Sequence, residues 1–227
     1  MRLSLYRTDE HRRHFIATGV LAAVAGVSGL SPARAVAPAP KTFQSRKILV
    51  LGDSLSAEYG LKRGSGWVAL LERQLKAEKI LAVVINASIS GDTSSGGRSR
   101  LGPLLAQHQP THVIIELGGN DALRGLPLEL TRNNLTEMAQ AAQQAGAKVL
   151  LIGMQVPPNY GKDYGERFAA LFASVAKARR AALVPFLLKG VADDGSTRLF
   201  QADRIHPKEE AHPLMLANVW PELKKIL

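Results

Sequence analysis

The sequence predicts an α/β protein, a three-layer α/β/α doubly wound fold on a five-stranded parallel sheet. Two observations predict it. Apolar runs of strand length recur at Lys47–Leu51, Leu81–Asn86, Val113–Leu117, Lys148–Ile152 and Leu183–Phe186. Between them lie longer stretches whose apolar residues recur at helical spacing. Strands that read as continuous apolar runs and alternate with helices belong to a parallel sheet covered on both faces, with right-handed crossovers.

The elements follow in order. The first strand ends at Gly52-Asp53-Ser54, two turn-forming residues and a hydroxyl. Gly64-Ser65-Gly66 precedes a helix over Trp67–Lys79 with Trp67, Leu70, Leu71 and Leu75 on one face. The second strand, read as buried, leads into Ala87-Ser88-Ile89-Ser90-Gly91-Asp92-Thr93, and a helix then runs through Arg98 to His108, where Pro110 stops it. The third strand is closed by Gly118-Gly119-Asn120-Asp121. A long helix over Pro127–Ala145 has Gly146 as its stop. After the fourth strand, a loop over Gln155–Gly165 gives way to a helix over Glu166–Ala182. Pro185 places the fifth strand at an edge. A last helix runs from about Pro207 to Ile226, with Pro221 expected to bend or interrupt it. No heptads and no long repeat appear, so residues 46–227 read as one domain.

The first 35 residues differ in kind. Arg2, Arg7, Arg12 and Arg13 precede an apolar run from Phe15 to Leu30, and Ser31-Pro32-Ala33-Arg34-Ala35 is a small-residue cleavage pattern. This is expected to be a secretory signal peptide over 1–35, joined by a Pro/Ala-rich linker over 36–45. The run is shorter than a spanning helix needs; an uncleaved anchor is the alternative. Arg12-Arg13-His14-Phe15-Ile16 resembles a twin-arginine signal, which leaves both export routes open.

The chain carries a net charge of +10, and removing residues 1–35 takes away five arginines and two acids to leave +7. Its basic residues are scattered and its aromatic content is 5%, so no nucleic-acid platform is expected. With no cysteine, disulfides, thiol catalysis and cysteine-ligated metal are excluded. No histidine pair has a recognised metal spacing: His108 and His112 are separated by Pro110. Neither metal nor cofactor is expected, and the expected state is a monomer without stable membrane insertion after cleavage.

Parallel strands open their strand-to-helix loops at one sheet edge, so Ser54, Gly91 and Asn120 can converge there. Each has a plain alternative: a helix cap or turn serine, a turn glycine, an Asx turn. Asp203-Arg204-Ile205-His206-Pro207 is more telling. A three-residue spacing lets a carboxylate accept from His206 Nδ1 and leaves Nε2 for a serine proton. Pro207 restricts His206 and suits the first turn of the next helix. The plain alternative is a surface cap beside a histidine. Asp53 and Asp92 are expected to bond local backbone N–H groups and shape their turns. Gly-x-Ser-x-Gly, the dinucleotide fingerprint and the phosphate loop are all absent.

In order, Gly52-Asp53-Ser54-Leu55-Ser56, Gly91 within Asn86–Thr93, Gly118-Gly119-Asn120-Asp121 and Asp203-x-x-His206 resemble the four blocks of the SGNH/GDSL hydrolases. The resemblance extends over nearly all of 46–227, within the bacterial periplasmic thioesterase, lysophospholipase and arylesterase branch. It implies Ser54 as nucleophile, His206 as base and Asp203 as its orienting acid, with the Ser54 and Gly91 N–H groups and the Asn120 amide as oxyanion hole. Glu58 departs from the small residue usual before Tyr59, which bears on the acyl pocket. The loops 123–128 and 156–164 are expected to wall that pocket, with Leu123, Pro158 and Tyr160 as substrate-binding candidates. The implied activity is secreted or periplasmic hydrolysis of small-molecule or lipid esters and thioesters: aryl esters, acyl thioesters, lysophospholipids. The alternatives are a carbohydrate O-acetyl esterase and a non-catalytic lipid-binding protein.

Overall fold

The computed structural model describes residues 45–193 and 197–227. The expected leader over 1–35 and the linker up to residue 44 lie outside the described residues. The five strands are β1 (Arg46–Gly52), β2 (Ala82–Asn86), β3 (His112–Glu116), β4 (Lys148–Ile152) and β5 (Ala182–Val184). All pair in parallel, in the order β2-β1-β3-β4-β5. This is the flavodoxin-like order, in which the chain reverses its winding direction between β1 and β3.

The helices are α1 (Trp67–Ala77), α2 (Ser94–His108), α3 (Gly119–Leu123), α4 (Leu128–Gln144), α5 (Lys162–Arg179) and α6 (His212–Lys224). α1 packs with α6 on one face of the sheet, while α2, α4 and α5 pack in sequence on the other. Buried on both faces, Ile48–Leu51 of β1 and Val113–Ile115 of β3 are all but inaccessible to water. Each such side chain contributes about 1.5–3 kcal/mol of transfer free energy, which is why the sheet centre is aliphatic throughout. Phe168 and Phe172 of α5 meet edge to face at 5.3 Å beneath Gly118. The left-handed φ of 115° at Gly118 is what lets the chain leave β3 over that ring.

The elements differ from the sequence expectation in four places, each for a reason of tertiary context. β2 is an edge strand rather than a buried one, with Val83 54% and the preceding Leu81 67% exposed. Its hydrophobicity says only that one face is covered. α5 begins four residues early, at Lys162, because the positive φ of Gly161 ends the preceding 3₁₀ turn Pro158–Tyr160 and releases the chain into the helix. The short α3 was not foreseen. Finally, Pro207 does not open a helix. It forms an antiparallel bridge with Phe200, a 3₁₀ turn follows at Glu209–Ala211, and α6 starts at His212 and runs through Pro221.

Candidate active site

Residues at the carboxyl ends of β1 and β3, on either side of the winding reversal, build the site. After Gly52 the chain turns sharply: the N–H groups of Ser56 and Ala57 both donate to the Asp53 carbonyl, and the Leu55 N–H donates to Asp53 Oδ1 at 3.0 Å. Asp53 thus caps the helical turn that displays Ser54, as its expected local role required. Asp92 departs from that expectation. Its carboxylate pairs with Arg100 of α2 at 2.8 Å instead of bonding nearby backbone.

The loop over residues 199–208 is a narrow hairpin, held by Gln201 N–H to His206 O at 2.8 Å and Lys208 N–H to Leu199 O at 2.7 Å. At its tip, Asp203 Oδ1 accepts the N–H groups of Ile205 (2.9 Å) and His206 (3.0 Å). Its Oδ2 lies 2.7 Å from His206 Nδ1. A carboxylate only accepts, so Nδ1 carries the ring proton and Nε2 presents a lone pair. That lone pair meets Ser54 Oγ at 2.9 Å, across 152 residues of chain. Burial acts on Asp203 most strongly and opposes its ionisation. The two backbone donors and the His206 ring outweigh it together, and the carboxyl is held down to about 2.

Gly91 adopts φ 79°, and its carbonyl accepts from Arg124 Nη2 at 2.7 Å. No acceptor is paired with the N–H of Ser54 or of Gly91 among the described residues. Asn120 lies on α3, and its amide donates to Asp53 Oδ2 at 3.0 Å and to the Asp92 carbonyl at 2.9 Å. Beneath it, the fully buried Asp121 accepts from the Ser94 N–H (2.8 Å), the Ser94 hydroxyl (2.5 Å) and the Thr131 hydroxyl (3.2 Å). This network ties the start of α2 to α3, so the Gly91 loop and Asn120 are set by one buried anchor.

The structure therefore brings Ser54, Asp203 and His206 into hydrogen-bonded sequence and sets Gly91 on the loop after β2 and Asn120 in the first turn of α3. Leu123, at the end of α3, is 41% exposed. Pro158 and Tyr160 form the 3₁₀ turn, and Tyr160 begins an aromatic row that continues inward through Tyr164 and Phe168. Glu58 folds back on its own loop, accepting from the N–H groups of Gly64 (2.9 Å) and Gly66 (2.8 Å).

Sequence reasoning missed three contributors. The Tyr59 ring lies 4.3 Å from the His206 ring, centroid to centroid. Gln201 Nε2 donates to the carbonyls of Tyr59 and Pro207, tying the histidine loop to the serine loop. Glu116 lies fully buried beneath Asp53 and accepts from its N–H. Only Glu116 leaves a mark in the sequence, as an acid closing an otherwise aliphatic strand. Among the described residues, no group of three or more histidine or acidic side chains could hold a metal ion.

A serine, a histidine and an aspartate in line beside unpaired backbone N–H groups, on a doubly wound sheet, define a serine-hydrolase class of site. The GDSL-like lipase/acylhydrolase family model matches residues 50–214, and the chain belongs to that family. It is 52% identical over 183 residues to the esterase TesA of Pseudomonas aeruginosa, an alignment covering 81% of this chain and 90% of that one. It is 42% identical to thioesterase 1/protease 1/lysophospholipase L1 of Escherichia coli K12, covering 74% and 78%. The crystal structure of the psychrotrophic esterase EstA from Pseudoalteromonas, inhibited by monoethylphosphonate, superposes with a TM-score of 0.74. Its sequence identity is 43%, over 79% of this chain and 97% of that one. The protein is an esterase-type hydrolase with the three-layer fold its sequence predicts.

Proposed function

We propose that the protein is an exported serine esterase that cleaves carboxylic esters and thioesters, including aryl esters, acyl thioesters and lysophospholipids, through an acyl-Ser54 intermediate. One observation carries the reading: the unbroken line from Asp203 Oδ2 through His206 to Ser54 Oγ, with contacts of 2.7 and 2.9 Å. The names of the relatives support the substrate classes: esterase, thioesterase and lysophospholipase, with an arylesterase of Vibrio mimicus 42% identical over 81% of this chain. The leader pattern over 1–35 supports export to the periplasm, and no described helix is long and apolar enough to cross a membrane.

In the first half-reaction, His206 Nε2 takes the Ser54 proton as Oγ attacks the acyl carbonyl. The carbonyl oxygen becomes an oxyanion facing the N–H groups of Ser54 and Gly91 and the Asn120 amide. Asp203 stabilises the imidazolium, which then protonates the departing alcohol or thiol as the C–O or C–S bond breaks. In the second half-reaction, His206 takes a proton from water as it attacks the acyl-enzyme, and returns it to Ser54 Oγ as the acid leaves. No cofactor enters either step. Leu123, Pro158 and Tyr160 line the acyl side in this reading.

The test is covalent labelling: an activated alkyl phosphonate with a p-nitrophenolate leaving group phosphonylates Ser54 Oγ and expels p-nitrophenolate, adding only the phosphonyl group's mass to the Ser54 peptide and abolishing turnover. Turnover that persists with Ser54 unlabelled removes the serine mechanism. A panel of p-nitrophenyl esters from acetyl upward, with an acyl-CoA and a lysophospholipid, then separates this reading from its rivals. Confinement to acetyl groups indicates a carbohydrate deacetylase, and fatty-acid binding without turnover a lipid carrier.

Asn120→Ala removes one of three oxyanion donors. It is expected to lower kcat by about 10²- to 10³-fold. KM should change little, because the developing charge exists only in the transition state. Steady-state kinetics on a short-chain ester check this, and an effect confined to KM contradicts the assignment.

A further inference from the structure

Glu116 ends β3 directly beneath the serine loop, and its side chain has no exposure to water. Oε2 accepts from the Ser56 hydroxyl at 2.7 Å and from the Asp53 N–H at 3.3 Å. Oε1 is buried with no hydrogen-bond partner. An ionised carboxylate with one oxygen neither solvated nor paired is strongly disfavoured in a protein interior, and such a group takes up a proton instead. The charged groups around it make ionisation worse. Asp53, 3% exposed, lies against it. Arg100, which reaches in from α2, is committed elsewhere: it pairs with Asp92 and donates to the carbonyls of Ala87 and Gly52. Burial first, then the charge of Asp53, push the Glu116 acid well above the usual carboxylate range, against the Ser56 hydroxyl and the Asp53 N–H, which favour its charged form.

Asp53 is buried as well but is better supplied with donors. Burial is the largest influence and raises its acid to about 6, with the charge of Asp92 adding to the rise. The Leu55 N–H, the His206 ring and the Asn120 amide limit it. Of the two acids, Glu116, with an unpaired buried oxygen, has the surroundings that favour the proton, and Asp53, with the Leu55 N–H and the Asn120 amide donating to it, has those that favour the charge.

We propose that Glu116 is a positioning residue: a neutral carboxylic acid under the serine loop that leaves the negative charge to Asp53 and so fixes Asp53 as the charged acceptor that aims the Asn120 amide. The role rests on reading Asn120 as an oxyanion donor. A carboxamide NH₂ is planar, so pinning one hydrogen fixes the direction of the other. Asp53 Oδ2 pins one at 3.0 Å, and the second points to the Asp92 carbonyl at 2.9 Å, next to Gly91. An oxyanion beside Gly91 takes a share of that second hydrogen without any rotation of the side chain. On the far side, Ser56 donates to Glu116 while accepting from Trp67 Nε1 at 3.2 Å, which holds the acid in register with β1 and α1.

The test compares the wild-type enzyme with Glu116→Gln, which is neutral and keeps both a carbonyl acceptor and a donor, and with Glu116→Ala. At pH 8 the infrared difference spectrum between wild type and E116Q is expected to contain the carbonyl stretch of a protonated carboxylic acid. Asp53 is ionised at that pH and does not contribute. E116Q is expected to keep kcat within about threefold of wild type, and E116A to lose tenfold or more with KM within about twofold. Absence of the band at pH 8 overturns the proposal, as does an E116Q as impaired in kcat as E116A. If E116A does not fold, the spectrum and E116Q decide alone. Wild-type enzyme whose Ser54 resists the phosphonate probe overturns the hydrolase reading, and the positioning role with it, whereas the infrared band does not depend on catalysis.

Discussion

Ser54→Ala is expected to lower kcat on an activated ester by about 10⁴- to 10⁶-fold, His206→Ala by a similar factor, and the double variant by no more than either alone. The reason is that, in the proposed mechanism, the two side chains perform one act. Without Oγ, the imidazole has no proton to take and no acyl group to receive. Without Nε2, the Ser54 hydroxyl keeps its proton and remains a weak nucleophile. Both residues are only partly buried; Ser54→Ala removes one 2.9 Å hydrogen bond and should move thermal stability little, whereas His206→Ala also removes the 2.7 Å contact with Asp203 and should cost more. Residual turnover then reports what the oxyanion donors and substrate binding achieve by themselves. Multiplicative losses in the double variant, with both singles folded, show that Ser54 and His206 act independently and overturn the proposed proton transfer.

The parts of this site that were legible in the sequence are those encoded locally. Asp203 and His206 are three residues apart, and the turn that joins them, including the left-handed Arg204 at φ 59°, needs only nearby backbone. Gly52-Asp53-Ser54 and Gly118-Gly119-Asn120 could be placed because each follows an aliphatic strand, and parallel winding delivers such ends to one edge. Apart from Ser54 with His206, which the family resemblance implied, the contacts that crossed long stretches of chain were not legible. Tyr59 against His206, Gln201 against Tyr59, and Ser94 against Asp121 depend on how loops settle after the sheet has formed, and no spacing or periodicity records them. The failure at β2 has the same origin. Ala82–Asn86 is as aliphatic as a central strand, and its edge position is decided by where α2 crosses over β1, which is a property of the whole sheet. Glu116 stands between these cases: it is visible as an oddity, yet without its orphaned oxygen and its neighbour Asp53 nothing distinguishes it from a strand-end acid facing water.

The sharpest test of how that local turn serves the reaction is Asp203→Asn, expected to lower kcat by about 10⁴-fold while leaving the fold intact. Asparagine can keep its oxygen where Oδ1 now accepts the N–H groups of Ile205 and His206, so the hairpin tip survives. Its nitrogen then replaces Oδ2 and donates to His206 Nδ1. The ring must accept there, its proton moves to Nε2, and a donor rather than a lone pair faces Ser54 Oγ. Geometry is preserved and the chemistry is blocked. The pH dependence separates this from a general loss of stability. Because the Asp203 acid is held down to about 2, its stabilising effect is complete above the ordinary carboxylate range and disappears as the pH falls from about 4 toward 2. Asp203→Asn should therefore flatten the melting temperature against pH only in that acid window, while its activity stays low at every pH where the wild type works. An asparagine variant with near-normal turnover at neutral pH contradicts the assigned tautomer, and with it the direction in which the Ser54 proton is said to travel.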